Sequence, residues 1–330
     1  HLDPAGKKNI NRPDQIPLGE MRISEWACEA LDPNALRVDT VSVTLDGKQI
    51  GENSPLLKVW QPFYDAPDGT PFEAEYKFTV NSLPRGKMEA VIEYAENLAS
   101  ITINGKPVKA GKKTWLDIHF MAIDITKHVI KGVNSLRISG LKINNITDAG
   151  FHRRVLATEF PYKTTELESI YIIGNFLVTD FGRTEFCISK KEKKHKPDVR
   201  NLTMEGYPFY AGRFKLSAFF ECDVKQNIEL QFTDVGGACL DVLINQKNAE
   251  VLYWAPWKTN ISNLVIDGQN LMEVILPTDL HNLMGPIQEP IGTPQGVGPS
   301  TFRMPRAWAP KLLLQRIGIG ATRIQMFKKT

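Results

Sequence analysis

The 330-residue chain contains no apolar run approaching the roughly 20 residues that cross a bilayer, so a membrane-spanning helix is excluded. It has no C-x-x-C pair either. Cys28, Cys187, Cys222 and Cys239 are widely spaced, which argues against a zinc site and against a disulfide framework. They read as small hydrophobes buried on strands, with a Cys222–Cys239 bridge between two strands of one domain left open. Charge of either sign is not in excess. Forty basic residues against 37 acidic ones leave a net charge of +3, which gives no case for nucleic acid or a membrane surface as partner. The chain also lacks a G-x-S-x-G elbow, an H-E-x-x-H pair and a phosphate-cradling loop. Its start, "HLDPAGKKNINRPDQ", has no apolar signal core and reads as a mature or internal start.

What the chain does contain is hairpin chemistry. In "SITINGKPV" (100–108) an alternating run meets Asn104-Gly105, and two-residue type I′ turns favour such pairs because both central residues need positive φ. Asp46-Gly47 in "VSVTLDGKQI" is a second such signal. The chain also repeats itself. "DITKHVIKGVN" (124–134) and "NISNLVIDGQN" (260–270) share Ile125/Ile261, Val129/Val265, Ile130/Ile266, Gly132/Gly268 and Asn134/Asn270 at a constant offset. "PFEAEYKFTV" (71–80) stands against "PFYAGRFKLSAFF" (208–220), and "SITINGKPV" against "LDVLINQKNAEV" (240–251). Three matches in one order indicate two copies of one domain.

Each copy consists mostly of short alternating strands separated by turns, with "ITKHVIKG" as one helical turn stopped by Gly132. Nothing alternates helix with strand, so the expectation is an all-β chain of antiparallel sandwiches. The divisions read as a strand-rich segment at 1–70 packing on the first sandwich, the first sandwich at 71–150, and a connecting β-segment with a basic loop at 151–205. The second sandwich, with a C-terminal loop and closing strand, takes 206–330. Five lysines within 190–196 read as a solvated loop tip, because no aromatic is interleaved for base stacking. "GTPQGVGPSTFRMP" reads as a flexible loop, and Trp308 as packing on a domain seam.

Three stretches in one order, "ELESIYIIGNFLV" (166–178), "GYPFYAGRFKL" (206–216) and "HNLMGPIQ" (281–288), resemble the C-terminal region of α-L-rhamnosidase-type enzymes of glycoside hydrolase family 106. "NALRVDTVSVTLDGKQI" resembles the stretch that follows their catalytic barrel, so the similarity runs from about Asn34 to Gln288. The chain departs from that pattern at Ile287-Gln288, where family members often carry two histidines. The resemblance implies galactose-binding-like jelly-roll sandwiches in tandem and a glycoside hydrolase as parent protein. It also implies that the catalytic carboxylates lie on a (β/α)-barrel ahead of this region. Such a barrel needs roughly 250 residues of alternating strand and helix, which this chain does not have, so no catalytic residue is assigned here.

For ligand binding, "LYWAPWKTN" offers Tyr253, Trp254 and Trp257 as flat surfaces for the C–H face of a sugar, with Asn260 beside them as a hydrogen-bonding group. The equivalent stretch of the first copy also carries Trp115 and Phe120, so core packing is the competing reading. His281 and Asn282, at a strand end before Gly285-Pro286, either bond a sugar or anchor their loop. His152 with Arg153 and Arg154 either meets a carboxylate-bearing sugar or forms a salt bridge. No cofactor is expected beyond a possible structural calcium near Asp234, Asp241 and Asn245. The resulting expectation is a secreted or periplasmic accessory region of a rhamnosidase-like hydrolase. It would brace a catalytic domain of the same polypeptide and bind carbohydrate. A free-standing carbohydrate-binding protein and an independent glycosidase are the alternatives.

Overall fold

A computed structural model describes residues 16–143, 165–181, 185–192, 195–285 and 313–328 of the chain. It opens with β1 (Pro17–Ile23) and β2 (Ala27–Ala30), and then β3 (Asn34–Val38), β4 (Thr40–Leu45) and β5 (Lys48–Pro55) lead into helix α1 (Leu56–Asp65). The first repeat copy supplies β6 (Pro71–Val80), β7 (Met88–Glu93), β8 (Ser100–Ile103) and β9 (Lys106–Pro107). β10 (Thr114–Trp115), β11 (Asp117–Asp124) and β12 (Gly132–Leu141) complete it. The middle segment forms β13 (Ile170–Gly174), β14 (Phe176–Phe181) and β15 (Glu185–Lys190). The second copy runs through β16 (Arg213–Cys222), β17 (Gln226–Phe232), β18 (Leu240–Ile244), β19 (Lys247–Leu252), β20 (Lys258–Asn260) and β21 (Gly268–Pro277). Helix α2 (His281–Met284) and β22 (Thr322–Lys328) follow. The chain is all-β, as expected.

Four open sheets build two sandwiches. In the first, the order β10-β11-β7-β13-β3 lies against β9-β8-β12-β6, which is extended by β4 and β5 and by the β14–β15 hairpin. In the second, β20-β17-β22-β1 lies against β19-β18-β21-β16-β2. The central strands of the two orders correspond, so β7, β12 and β13 play the parts of β17, β21 and β22. The sandwiches are nested rather than simply sequential. β1 pairs with β22 and β2 pairs with β16, so these two strands of the 1–70 segment complete the second sandwich. β3, β4 and β5 belong to the first. One short parallel contact, β15 on β6, interrupts the otherwise antiparallel pairing.

The cores follow the period-2 pattern of the strands. In "PFEAEYKFTV" Phe72, Ala74, Tyr76, Phe78 and Val80 point inward while the residues between them face outward. β13 is buried along its whole length, matching its unbroken apolar run. Asn104-Gly105 and Asp46-Gly47 both adopt positive φ at their hairpin turns, and Asn245-Gln246 makes the corresponding turn of the second copy. Helix α1 was not foreseen in a segment read as strand-rich. Leu56, Val59 and Phe63 face the core at helical spacing despite Pro62, and the buried Lys142 donates to the end carbonyls of Tyr64 (2.6 Å) and Ala66. The four cysteines are all free, and burial pushes the Cys28 thiol up to about 12.

The repeat is held by the same pair of asparagines in each copy. Asn134 accepts from Ile130 N (2.8 Å) and donates to the carbonyls of Ile130 and Gly132. Asn270 does the same with Ile266 and Gly268. The hairpin residue Asn104 donates to Asn134 Oδ1 at 2.9 Å and to the His128 carbonyl, while Asn245 donates to Asn270 Oδ1 at 2.8 Å and to the Leu264 carbonyl. Each network ties a turn to the hairpin of the neighbouring strand. Both core asparagines are fully buried, so truncation strands several polar backbone groups. Asn134→Ala and Asn270→Ala are each expected to lower unfolding stability in urea by roughly 2–4 kcal/mol. A loss below about 0.5 kcal/mol at either site would contradict equivalent roles.

Candidate functional site

The residues of the resemblance motifs gather at the seam between the sandwiches. The Asn34 amide donates to the carbonyls of Phe176 (2.9 Å) and Gly206 (2.8 Å). Gly206 sits at φ +98°, where an added Cβ would lie 2.9 Å from the Leu177 side chain, so glycine is needed both for backbone conformation and for contact. The Tyr210 hydroxyl donates to the Arg213 carbonyl (2.7 Å) and accepts from Asp32 N (3.1 Å), while Asp32 pairs with the Arg213 guanidinium at 3.1 Å. Leu283 of α2 lies in the first core, and its carbonyl accepts from Arg37 Nη1 at 3.1 Å. These motifs hold the two sandwiches together.

The candidate ligand residues fall on two different elements. Tyr253 and Trp254, in the loop between β19 and β20, are 61% and 72% exposed with ring centroids 5.9 Å apart. Trp257 is half-buried and packs on the second core. Asn260 is exposed and accepts from Ser262 N at 3.0 Å, as Asp124 accepts from Thr126 N at 3.0 Å in the first copy. His281 opens α2 and is half-buried. Asn282 is 2% exposed, and both ends of its amide bond the Gln315 backbone, at 2.7 and 2.8 Å. Buried and bonded at both ends to backbone, the Asn282 amide is not presented to a ligand in solvent. In the first copy, Trp115 and Phe120 both lean on Tyr171, with centroids 5.9 and 5.7 Å away.

The remaining candidates separate in the same way. Asp234 pairs with Arg316 at 2.9 Å, Asp241 accepts from Asn248 at 2.9 Å, and Asn245 is engaged in its asparagine network. Among the described residues no group of three or more His, Cys, Asp or Glu is placed to hold a metal ion. His152, Arg153 and Arg154, Ile287-Gln288, "GTPQGVGPSTFRMP" and Trp308 lie outside the described residues. A surface cavity of 490 Å³ is lined by Lys87, Asp124, Thr126, Lys127 and His128. Its charges are largely satisfied internally: Lys87 pairs with Glu89 at 2.7 Å, and Asp124 accepts from Thr126 Oγ1 at 2.6 Å.

Sequence reading missed a carboxylate cluster on the first sandwich. Glu93 ends β7, Glu166 and Glu168 flank Leu167 on the extended approach to β13, and Asp117 opens β11. Burial, then the charges of Glu166, Glu168 and Asp117, push the Glu93 carboxyl up to about 8. Burial and Glu166 push Glu168 up to about 7, against an opposing pull from Arg37. Burial raises Glu166 as well, partly offset by His119. Tyr94 stacks on His119 with centroids 4.4 Å apart, so aromatic rings border the cluster. Two signals were available in the sequence: Glu166 and Glu168 at strand spacing, and a glutamate closing the apolar run "MEAVIE".

The fold and these surfaces define an all-β chain of two nested sandwiches with an aromatic pair on one and a carboxylate cluster on the other. No protein-family model matches the chain, and no curated protein matches it. Among solved structures it is similar to an α-L-rhamnosidase of Streptomyces avermitilis complexed with L-rhamnose, at 14% identity and TM-score 0.32, covering 77% of this chain and 25% of that one. A rhamnosidase of Novosphingobium sp. PP1Y matches at 14% identity and TM-score 0.26, covering 91% and 25%. A β-D-mannosidase of Dictyoglomus thermophilum matches at 10% identity and TM-score 0.28, covering 77% and 31%. The chain thus spans less than a third of each of these proteins, and its function has to be argued from its own surfaces.

The Glu93 carboxyl makes stability depend on pH. The folded chain retains this proton up to about 8, whereas the unfolded chain releases it near 4.5. Protons bound in excess by the folded state favour folding at low pH, and that contribution is lost as pH rises through 8. Glu93→Gln is therefore expected to gain on the unmodified chain between pH 5 and 8.5 by roughly 3–4 kcal/mol, read from urea unfolding at each pH. A difference that stays flat with pH would contradict the buried-carboxyl account.

Proposed function

We propose that this chain is the non-catalytic region of a rhamnosidase-like glycoside hydrolase. In this reading it braces a catalytic domain carried on the same, secreted or periplasmic, polypeptide and contacts polysaccharide through the loop between β19 and β20. The observation that carries the glycan-contact part is the exposure of Tyr253 and Trp254. Two large aromatic faces stand in solvent beside one another, although burying such rings is normally favourable. Sugar rings offer C–H faces that pack on such surfaces. Trp257, anchored in the second core, holds the loop from beneath and fills the packing role weighed for these aromatics. The bracing part is supported by the seam, where the motif residues fasten the sandwiches to each other. Asn282 belongs to that seam and drops out of the proposed contact set, and His281 stands on α2 rather than on this loop, so the loop contact keeps Tyr253, Trp254 and Asn260.

Affinity electrophoresis through gels containing rhamnose- or galactose-bearing polysaccharides tests the reading. The chain is expected to be retarded by at least one polymer. Tyr253→Ala and Trp254→Ala should each reduce that retardation several-fold and leave the urea midpoint unchanged, because neither ring is packed in a core. Unretarded migration in every gel would contradict glycan contact. Release of nitrophenol from an aryl rhamnoside by the purified chain would replace the accessory reading with catalysis by the chain itself.

A further inference from the structure

The duplication gives each surface of one sandwich an internal reference in the other. The register pairs Asp124 with Glu89 in one copy and Asn260 with Glu229 in the other. Lys87, Asp124, Thr126, Lys127 and His128 therefore stand where the second copy has Asn227, Asn260, Ser262, Asn263 and Leu264. The turn is built alike in both. Thr126 Oγ1 accepts from Met88 N at 3.0 Å and Ser262 Oγ from Ile228 N at 2.8 Å. Asp124 and Asn260 each accept from the backbone N–H two residues on, at 3.0 Å. The charges, however, differ altogether. Two lysines, an aspartate and a histidine correspond to three asparagines and a leucine, so the shared turn requires none of the four.

In the first copy these residues line the surface cavity of about 490 Å³, a volume within the range of small-molecule clefts. Two of its charged groups are engaged within the protein. The Lys87 ammonium lies 2.7 Å from Glu89 and 3.9 Å from Asp124 Oδ2, while Asp124 Oδ1 takes the Thr126 hydroxyl at 2.6 Å. The other two are not. The exposed Lys127 ammonium acts on Asp124 only as a nearby charge, and the half-buried His128 ring has no hydrogen bond or ion pair with a described residue. Ammonium groups are donors only, so the unused capacity of the cavity is mostly donor, with Asp124 Oδ2 as the remaining acceptor. Two lysines against one aspartate leave the lining one surplus positive charge. Counting Glu89 together with its second partner, Lys113, leaves that surplus unchanged.

We propose that this cavity binds a hydroxylated monocarboxylate of the sugar-acid class, its carboxylate held by Lys127 and His128 and a hydroxyl by Asp124. Three features of the lining select that chemistry. A neutral sugar leaves the Lys127 charge without a partner, whereas a carboxylate supplies a charge-assisted bond. The single surplus charge is balanced by one carboxylate, and a dianionic phosphate exceeds it. Asp124 repels a bare anion but accepts from a hydroxyl carried beside the acid group, so hydroxyls and charge are needed on one molecule. This site lies on the first sandwich, is independent of the loop between β19 and β20, and does not rest on the accessory reading.

Isothermal titration of the full chain at neutral pH with D-glucuronate, D-glucose, acetate and D-glucose 6-phosphate tests it. Glucuronate is expected to bind at one site per chain, at least tenfold more tightly than any of the other three. Its affinity should fall as salt is raised, because the charges involved are open to solvent. Lys127→Asn and His128→Leu install the second copy's own residues, which the same turn already carries at Asn263 and Leu264. Each should weaken glucuronate at least fivefold. Three outcomes would overturn the proposal: no heat with glucuronate, glucose or acetate binding as tightly, or full binding retained in both variants. Tighter binding of glucose 6-phosphate than of glucuronate would overturn the assignment to a monocarboxylate. The comparison of the four ligands on the unmodified chain holds even if a variant misfolds.

Discussion

The architecture depends on backbone pairing between the two extremes of the described chain. β1 and β2 carry few buried side chains, yet they complete both sheets of the second sandwich, with Ile23 opposite Thr322 and Ala30 opposite Phe214. The first sandwich is inserted between them and the strands they pair with. Loop-closure entropy for such distant contacts grows only slowly with length, but nothing is gained until both copies are folded and correctly placed. That is why the seam matters: Asn34, Gly206, Tyr210, Arg37 and Leu283 set the position from which β2 can reach β16.

With the scaffold shared, the chemistry differs at the ends. The asparagine networks of Asn104–Asn134 and Asn245–Asn270 are alike in partners and distances. By contrast, the strand ends carry Glu93, Glu166 and Glu168 in one copy and Thr233, Gly318 and Gly320 in the other. Parts that hold the sandwich are kept while the residues at these strand ends diverge. Exposed aromatics on the second sandwich and raised, partly buried carboxylates on the first thus give two regions of different character on one frame.

Much of the frame was legible in the sequence because its signals are local. Asn104-Gly105 and Asp46-Gly47 identify their turns through the positive φ that glycine permits, and the constant offset between Asn134 and Asn270 reveals the duplication. Where the pattern is not local, reading stops. β1 and β2 are short and half-exposed, and their partners lie far along the chain, so they were grouped with their neighbours in sequence. Helix α1 was hidden by Pro62, which ordinarily argues against a helix interior. The separate glutamate signals were readable, but their juxtaposition was not, because Glu93 is brought beside Glu166 and Glu168 only by the pairing of β7 with β13. Among the aromatics, the residue types could not show that Trp257 is packed while Trp254 stands in solvent.

Native-state hydrogen exchange on the intact chain tests the nested architecture most directly. If β1 and β2 are integral to the second sandwich, their paired amides exchange together with those of β16, β21 and β22, in one cooperative opening with a shared dependence on denaturant. Fast, denaturant-independent exchange of 17–30 while β16 and β22 stay protected would contradict it.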